Sequence, residues 1–250
     1  MGEFSGKFVM VTGGSKGIGR TAVRHFCQEG ATCIIVSRHQ DECQRYADEL
    51  IGEGFSASGI AADVGKVSDI RKLVSTAIER HGAIDVLVNS AGVNIRKPCV
   101  EYQEEDWDYI ININLKGSYF VCAEVGKHMV ARGAGAIVNV ASLQSHIVLP
   151  NLSIYAASKA GMRQYTKGLA NEWATLGVRI NTISPAFIST DLVAPVLNDP
   201  VWRKMIDSRT PMKRPGTPDE AADLILFLAS SRSSYITGAD IPIDGGWTAG

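Results

Sequence analysis

Several things are missing from this sequence. Its five cysteines, Cys27, Cys33, Cys43, Cys99 and Cys122, are odd in number, dispersed and nowhere spaced C-x-x-C. That argues against a disulfide framework or a cysteine zinc site and suits reduced thiols in a cytosol. His25, His39, His81, His128 and His146 also lack ligand spacing, so no metal site is expected. There is no long run of like charge, and a net charge of −1 over 250 residues makes no electrostatic case for nucleic acid or an anionic membrane. No apolar stretch is long enough to span a bilayer. The opening MGEFSGKFVMVTGG lacks the basic-then-apolar order of a signal peptide, and Gly6 stands where a myristoylation motif wants Ser or Thr. A soluble cytoplasmic protein is the expectation. No Pro/Gly/Ser-rich linker or second composition regime interrupts the chain, so residues 1–250 read as one domain.

What is present is an alternation. Short β-branched runs at Phe8–Thr12, Thr32–Val36, Ser58–Ala62, Ile84–Asn89, Ala136–Val140, Val178–Ile183 and Ala239–Ile243 predict strands. Helical patterns fit Gly17–Glu29, Asp41–Gly52, Ser68–His81, Glu104–Met129 with a break near Leu115, Ser153–Thr175 and Pro218–Ala229. Strands that are apolar without polar alternation suit a sheet covered on both faces. Strand–helix alternation adds right-handed crossovers, giving an α/β, doubly wound parallel sheet in three α/β/α layers. Residues 187–216 break the rhythm with several prolines and too many residues for an ordinary connection, which predicts a substrate lid or, failing that, a packed helical excursion.

The segment VTGGSKGIGR follows the first strand and opens the first helix, placing Gly13, Gly17 and Gly19 where a tight turn and a close phosphate approach need them. The helix N-terminus adds free N–H groups for a pyrophosphate. With Thr12–Gly19 come N-S-A-G at Asn89–Gly92 and Y-x-x-x-K at Tyr155–Lys159. In this order and spacing the motifs resemble the short-chain dehydrogenases/reductases, in their single-domain branch, and the likeness runs to the terminal DGGW.

The resemblance implies that Tyr155 exchanges a proton with the substrate oxygen while a nicotinamide exchanges a hydride. A free phenol titrates near pH ~10, so a neighbouring ammonium is expected to favour the phenolate. Lys159, one helical turn on, is placed to do so and is implied to hold the ribose hydroxyls. Ser142 matches the serine that bonds the substrate oxygen, and Asn114 the asparagine that links Lys159 to a proton path. The implied cofactor site adds Thr12, Ile18, Val64, Asn89, Ala91, Gly92 and Pro185, Asp63 at the adenine edge, and Ile188 and Thr190 at the carboxamide. Ser90 replaces the family's second asparagine, and Ala186 replaces its glycine after Pro185, at a cost of ~1 kcal/mol if positive φ is required there.

At the end of the second strand Ser37 fills the acidic place of an NAD site and Arg38 follows. A guanidinium can fork onto a 2′-phosphate that a carboxylate would repel, and Lys16 and Ser15 lie within reach. Asp41 and Glu42 fall in the next helix's first turn, where they are expected to serve its dipole. NADP(H) is therefore expected over NAD(H). Stretches such as QSHIVLP and DGGWTAG look like the enzymes of keto-sugars, sugar acids and polyols, the gluconate 5-dehydrogenase-like and deoxygluconate dehydrogenase-like group, with Gln144, His146, Asn94, Arg96 and Arg203 as candidate substrate contacts. The alternatives are a 3-oxoacyl-carrier-protein or small-ketone reductase and, more distantly, a dinucleotide-sensing protein without turnover. Small and apolar residues on Leu115–Met129 and Ser153–Thr175 predict a homotetramer, or else a dimer, with Trp247 near a second contact.

Overall fold

The computed structural model describes residues 2–249. Seven strands form one parallel sheet: β1 (Phe8–Thr12), β2 (Thr32–Ser37), β3 (Ser56–Ala61), β4 (Val86–Asn89), β5 (Gly135–Val140), β6 (Val178–Pro185) and β7 (Asp240–Ile243), in the order 3-2-1-4-5-6-7. Helices α1 (Gly17–Gln28), α2 (Gln40–Gly52) and α9 (Pro218–Ala229) contribute to the core on one face; α3 (Val67–His81), α5 (Ser118–Arg132) and α6 (Ser153–Trp173) contribute to the other. Period-two alternation drives this: Val9 and Val11 join Phe26 and Ile225 on the first side, while Met10 joins Leu73 and Val125 on the second. The strand order reverses between β1 and β4, and open α/β sheets bind ligands outside the carboxyl ends of their strands at such a point.

Along that carboxyl edge runs a buried polar row. The register aligns Thr12, Asn89, Asn139 and Thr182 on four adjacent strands. Thr12 Oγ1 donates to Asn89 Oδ1 at 3.3 Å, Asn89 Nδ2 to Asn139 Oδ1 at 3.0 Å, and Asn139 Nδ2 to Thr166 Oγ1 of α6 at 2.8 Å. Unpaired, each amide would cost ~1–3 kcal/mol, so the row specifies how the sheet seats α5 and α6.

The expected break near Leu115 is a π-helical turn, residues 112–117, between α4 (Glu104–Ile111) and α5. Gly117 lies so close to the Val64 carbonyl that no Cβ would fit there. Residues 187–216 hold two short helices, α7 (Ala194–Leu197) and α8 (Pro200–Arg209). The segment's base is pinned where Ser189 N donates to Gly216 O at 2.9 Å. Ile206 packs it onto a satellite core with Leu143, Ala186 and Trp247. One expectation changes here. Ala186 keeps a negative φ and the left-handed conformation falls on Phe187 (φ +45°), costing about 1–2 kcal/mol. Trp247 is covered within the chain, 5.0 Å from the Phe187 ring centroid and under Arg209. No helix of the described residues is long and apolar enough to cross a membrane.

Candidate active site

Ser142 follows the last residues of β5, where its hydroxyl caps a short turn by accepting from Gln144 N at 3.1 Å. Tyr155 and Lys159 occupy consecutive turns of α6, which set the Tyr155 phenol against Ser142 and Lys159 against the end of β5. The Ser142 hydroxyl hydrogen-bonds the Tyr155 phenol and favours its ionisation, but burial outweighs it and raises the phenol above its ordinary value. The expected lowering by Lys159 is not what this geometry gives. The Lys159 ammonium, 5.8 Å from the phenol ring centroid, donates to Val140 O at 2.8 Å. Burial lowers it to about 8.

Asn114 sits in the π turn, fully buried. Its Oδ1 accepts from Val93 N at 2.8 Å, and its Nδ2 donates to Val93 O at 2.9 Å and Ser158 Oγ at 3.2 Å. The amide therefore fixes the strand-exit loop to α6 and does not touch Lys159 directly. Both groups close on Gly92, where an added Cβ would lie 3.5 Å from Lys159 Nζ and 3.6 Å from Asn114 Oδ1.

Among the expected cofactor residues, two groups separate. Gly13, Ser15, Lys16, Gly17, Ile18 and Gly19 form the loop at the switch point, with Thr190 from residues 187–216 facing Gly17 and Ala91 and Gly92 opposite. Gly13 (φ +67°) would drive a Cβ to 2.8 Å from Ala91 N, and Gly19 packs directly on the Gly13 carbonyl. A cradle that rejects side chains, at a helix N-terminus, fits the pyrophosphate of a dinucleotide. Thr12 and Asn89 belong to the buried row, where their side chains tie β1, β4 and β5 together. Asp63 caps its own turn through Gly65 N at 3.0 Å, and Val64 lies against Gly117. Pro185 and Ile188 flank Phe187 at the exit of β6.

The ribose end differs most from expectation. Glu42 reaches back from α2 to Lys16 Nζ at 2.9 Å, with Ser15 Oγ 3.5 Å away, and this pairing lowers its pKa. So Glu42 does more than serve a dipole: it occupies the cation meant for a phosphate. Ser37 bonds locally to His39 O, while Arg38 points to the Tyr109 hydroxyl at 3.4 Å.

The substrate candidates scatter. His146 pairs with Asp240 at 2.7 Å and Arg203 with Asp207 on its own helix. Gln144 Oε1 accepts from Leu149 N at 2.8 Å and holds a loop. Asn94 is exposed, and Arg96 stacks on Trp202 of α8, 4.3 Å from the ring centroid. Trp202 and Arg163 carry no mark in the sequence analysis, and Glu42 only that of a dipole partner. For Arg163 a signal existed, since Tyr155, Lys159 and Arg163 recur every four residues on one helix edge. Among the described residues no cluster of three or more His, Cys, Asp or Glu side chains could hold a metal ion.

The family model described as enoyl-(acyl carrier protein) reductase matches residues 13–248. The 3-oxoacyl-[acyl-carrier-protein] reductase of Chlamydia pneumoniae is 39% identical over 246 residues, 97% of each chain. D-threitol dehydrogenase of Mycolicibacterium smegmatis is 38% identical, covering 98% of this chain and 94% of that one. A gluconate 5-dehydrogenase from Burkholderia cenocepacia, solved with NADP and tartrate, superposes with a TM-score of 0.96 at 34% identity over 98% of this chain and 96% of that one. The chain belongs to the short-chain dehydrogenase/reductase family. It is an oxidoreductase that interconverts a ketone and a secondary alcohol by hydride transfer with a nicotinamide cofactor.

Proposed function

We propose that this enzyme works on a polyhydroxylated ketone or its alcohol, a keto-sugar, sugar acid or polyol, and prefers NADP(H). The convergence of Ser142, Tyr155 and Lys159 at the carboxyl end of β5, beside the glycine cradle, carries the reading. With its pyrophosphate in that cradle, the dinucleotide would supply or take the hydride through its nicotinamide. Tyr155 gives its proton to the substrate oxygen in reduction and takes it back in oxidation. Burial raises the phenol above its ordinary value, so it holds the proton that reduction delivers. Ser142 orients the same oxygen, and Lys159 holds the ribose hydroxyls.

Arg96 and Asn94 support a polar substrate: the guanidinium is desolvated and stacked on Trp202. Stacked on α8, Arg96 also links the site to residues 187–216, which we read as a lid. Ser37 in place of an acidic residue, with Arg38 next to it, supports NADP(H), as does the relative solved with NADP. Exposed Tyr119 on α5 and the open Gly168 on α6 support a homotetramer, and dispersed reduced cysteines support a cytoplasmic location. The 39% identical carrier-protein reductase favours a second reading, a 3-oxoacyl thioester reductase. A panel of keto-gluconates, keto-pentoses, diketones and acetoacetyl thioesters, each with NADPH and NADH and followed by cofactor absorbance, tests both. Highest kcat/KM on a keto-sugar or keto-acid with NADPH is expected; highest on the thioester would replace it with the second reading.

A further inference from the structure

Beneath the turn that presents Ser142 lies a cluster of charges used by neither catalysis nor cofactor binding. Asp240, on β7, has its side chain 5% exposed. Its Oδ1 accepts from Ser184 Oγ of β6 at 2.7 Å; its Oδ2 lies 2.7 Å from His146 Nε2 and 3.3 Å from Arg163 Nε, within ion-pair distance of both though aligned for a hydrogen bond with neither. Arg163 uses a second nitrogen, Nη1, to donate to Ser145 O at 3.0 Å. Ser145 Oγ in turn donates to Ser142 O at 2.6 Å and lies 3.0 Å from Ser184 Oγ. With Asp240 ionised, the Ser184 proton goes to the carboxylate and the Ser145 proton to the Ser142 carbonyl, so both hydroxyls are committed.

For stability alone, such a cluster returns little, because desolvation offsets the attraction. What it fixes is direction. Asp240 stands on the rigid sheet, and through His146 and Arg163 it holds both the end of the turn and its Ser145 carbonyl. Arg163 also belongs to the helix edge that carries Tyr155 and Lys159. The relative placement of the Ser142 hydroxyl and the Tyr155 phenol is therefore set through one carboxylate.

We infer that Asp240 is a positioning residue for the reaction, acting through Arg163 and His146 to hold the Ser142 hydroxyl against Tyr155; this rests on the proposed role of Ser142. The test is a double-mutant cycle on the full-length enzyme, read as kcat for ketone reduction, with NADPH affinity followed separately by fluorescence. Asp240→Asn keeps shape and removes charge. It is expected to lower kcat about tenfold, since small misplacements of reacting groups are costly, with NADPH affinity unchanged. In a Ser142→Ala background the same change is expected to cost nothing further, the non-additivity of residues that act as a unit. A purely structural role would instead give additive losses or weaker NADPH binding, and either result, or an unchanged kcat, overturns the inference. If Ser142→Ala alone keeps native kcat, the reading of the active site fails first and this one with it. Should Asp240→Asn not yield soluble protein, Arg163→Lys carries the same cycle: it keeps a cation for Asp240 but cannot fork to the Ser145 carbonyl as well.

Discussion

The two halves of the sheet solve their tasks with different materials. Around β1 to β3 the carboxyl edge is made by what is left out: glycines at 13, 17 and 19 whose missing side chains leave backbone exposed to a phosphate. Around β4 to β7 it is made by polar groups that are buried and bonded, from Asn89 and Asn139 through Asn114 to Ser184, whose hydroxyl donates to Asp240. A cradle of bare backbone tolerates no added atom, whereas a bonded polar site tolerates no removed one. The first half binds, and the second is where proton chemistry is placed.

Four changes separate these regimes. Tyr155→Phe removes one proton from the bonded half and is expected to lower kcat by about 10²–10⁴, with cofactor affinity unchanged in a fluorescence titration. Next in size is Lys159. Its amine is lowered from 10.5 to about 8, so its charged form is disfavoured in the fold. That destabilisation is complete below pH 8 and is relieved as pH rises toward 10.5, where the folded chain sheds a proton that the unfolded chain keeps. Denaturant unfolding of wild type against Lys159→Met is expected to shift in favour of wild type by up to about 3 kcal/mol across that window. In the bare half, Gly19→Ala pushes a Cβ onto the Gly13 carbonyl and should cost about 1–3 kcal/mol and most of the dinucleotide affinity. Smallest is Glu42→Gln, which frees Lys16 from a surface pair. NADPH is expected to bind up to about fivefold tighter with NADH unchanged, as measured by calorimetry.

The same division explains what could be read from sequence. Glycine spacing and apolar runs are local, so the cradle, the strands and the break at Leu115 were legible to within a few residues. Tyr155 and Lys159 were legible because four residues along a helix is also a local distance. The polar ties were not. The bond that ties Asn89 to Asn139 spans 50 residues, and His146 meets Asp240 almost a hundred positions away, so neither tie shows in local spacing. Glu42 was judged by its own helix, while its partner sits 26 residues back in the glycine loop. Residues whose partners are distant look free in a one-dimensional text.

The π turn at 112–117 has a further consequence for chain length. One extra residue in a helical turn delays everything after it by roughly 100° of rotation. Asn114 can therefore aim at Val93 while α5, beginning at Ser118, still lays Val121, Cys122 and Val125 on the sheet. Deleting a single residue there would restore an unbroken helix and point either the amide or the apolar stripe the wrong way. Elsewhere on this helix, substitution is the relevant hazard; in this turn it is counting.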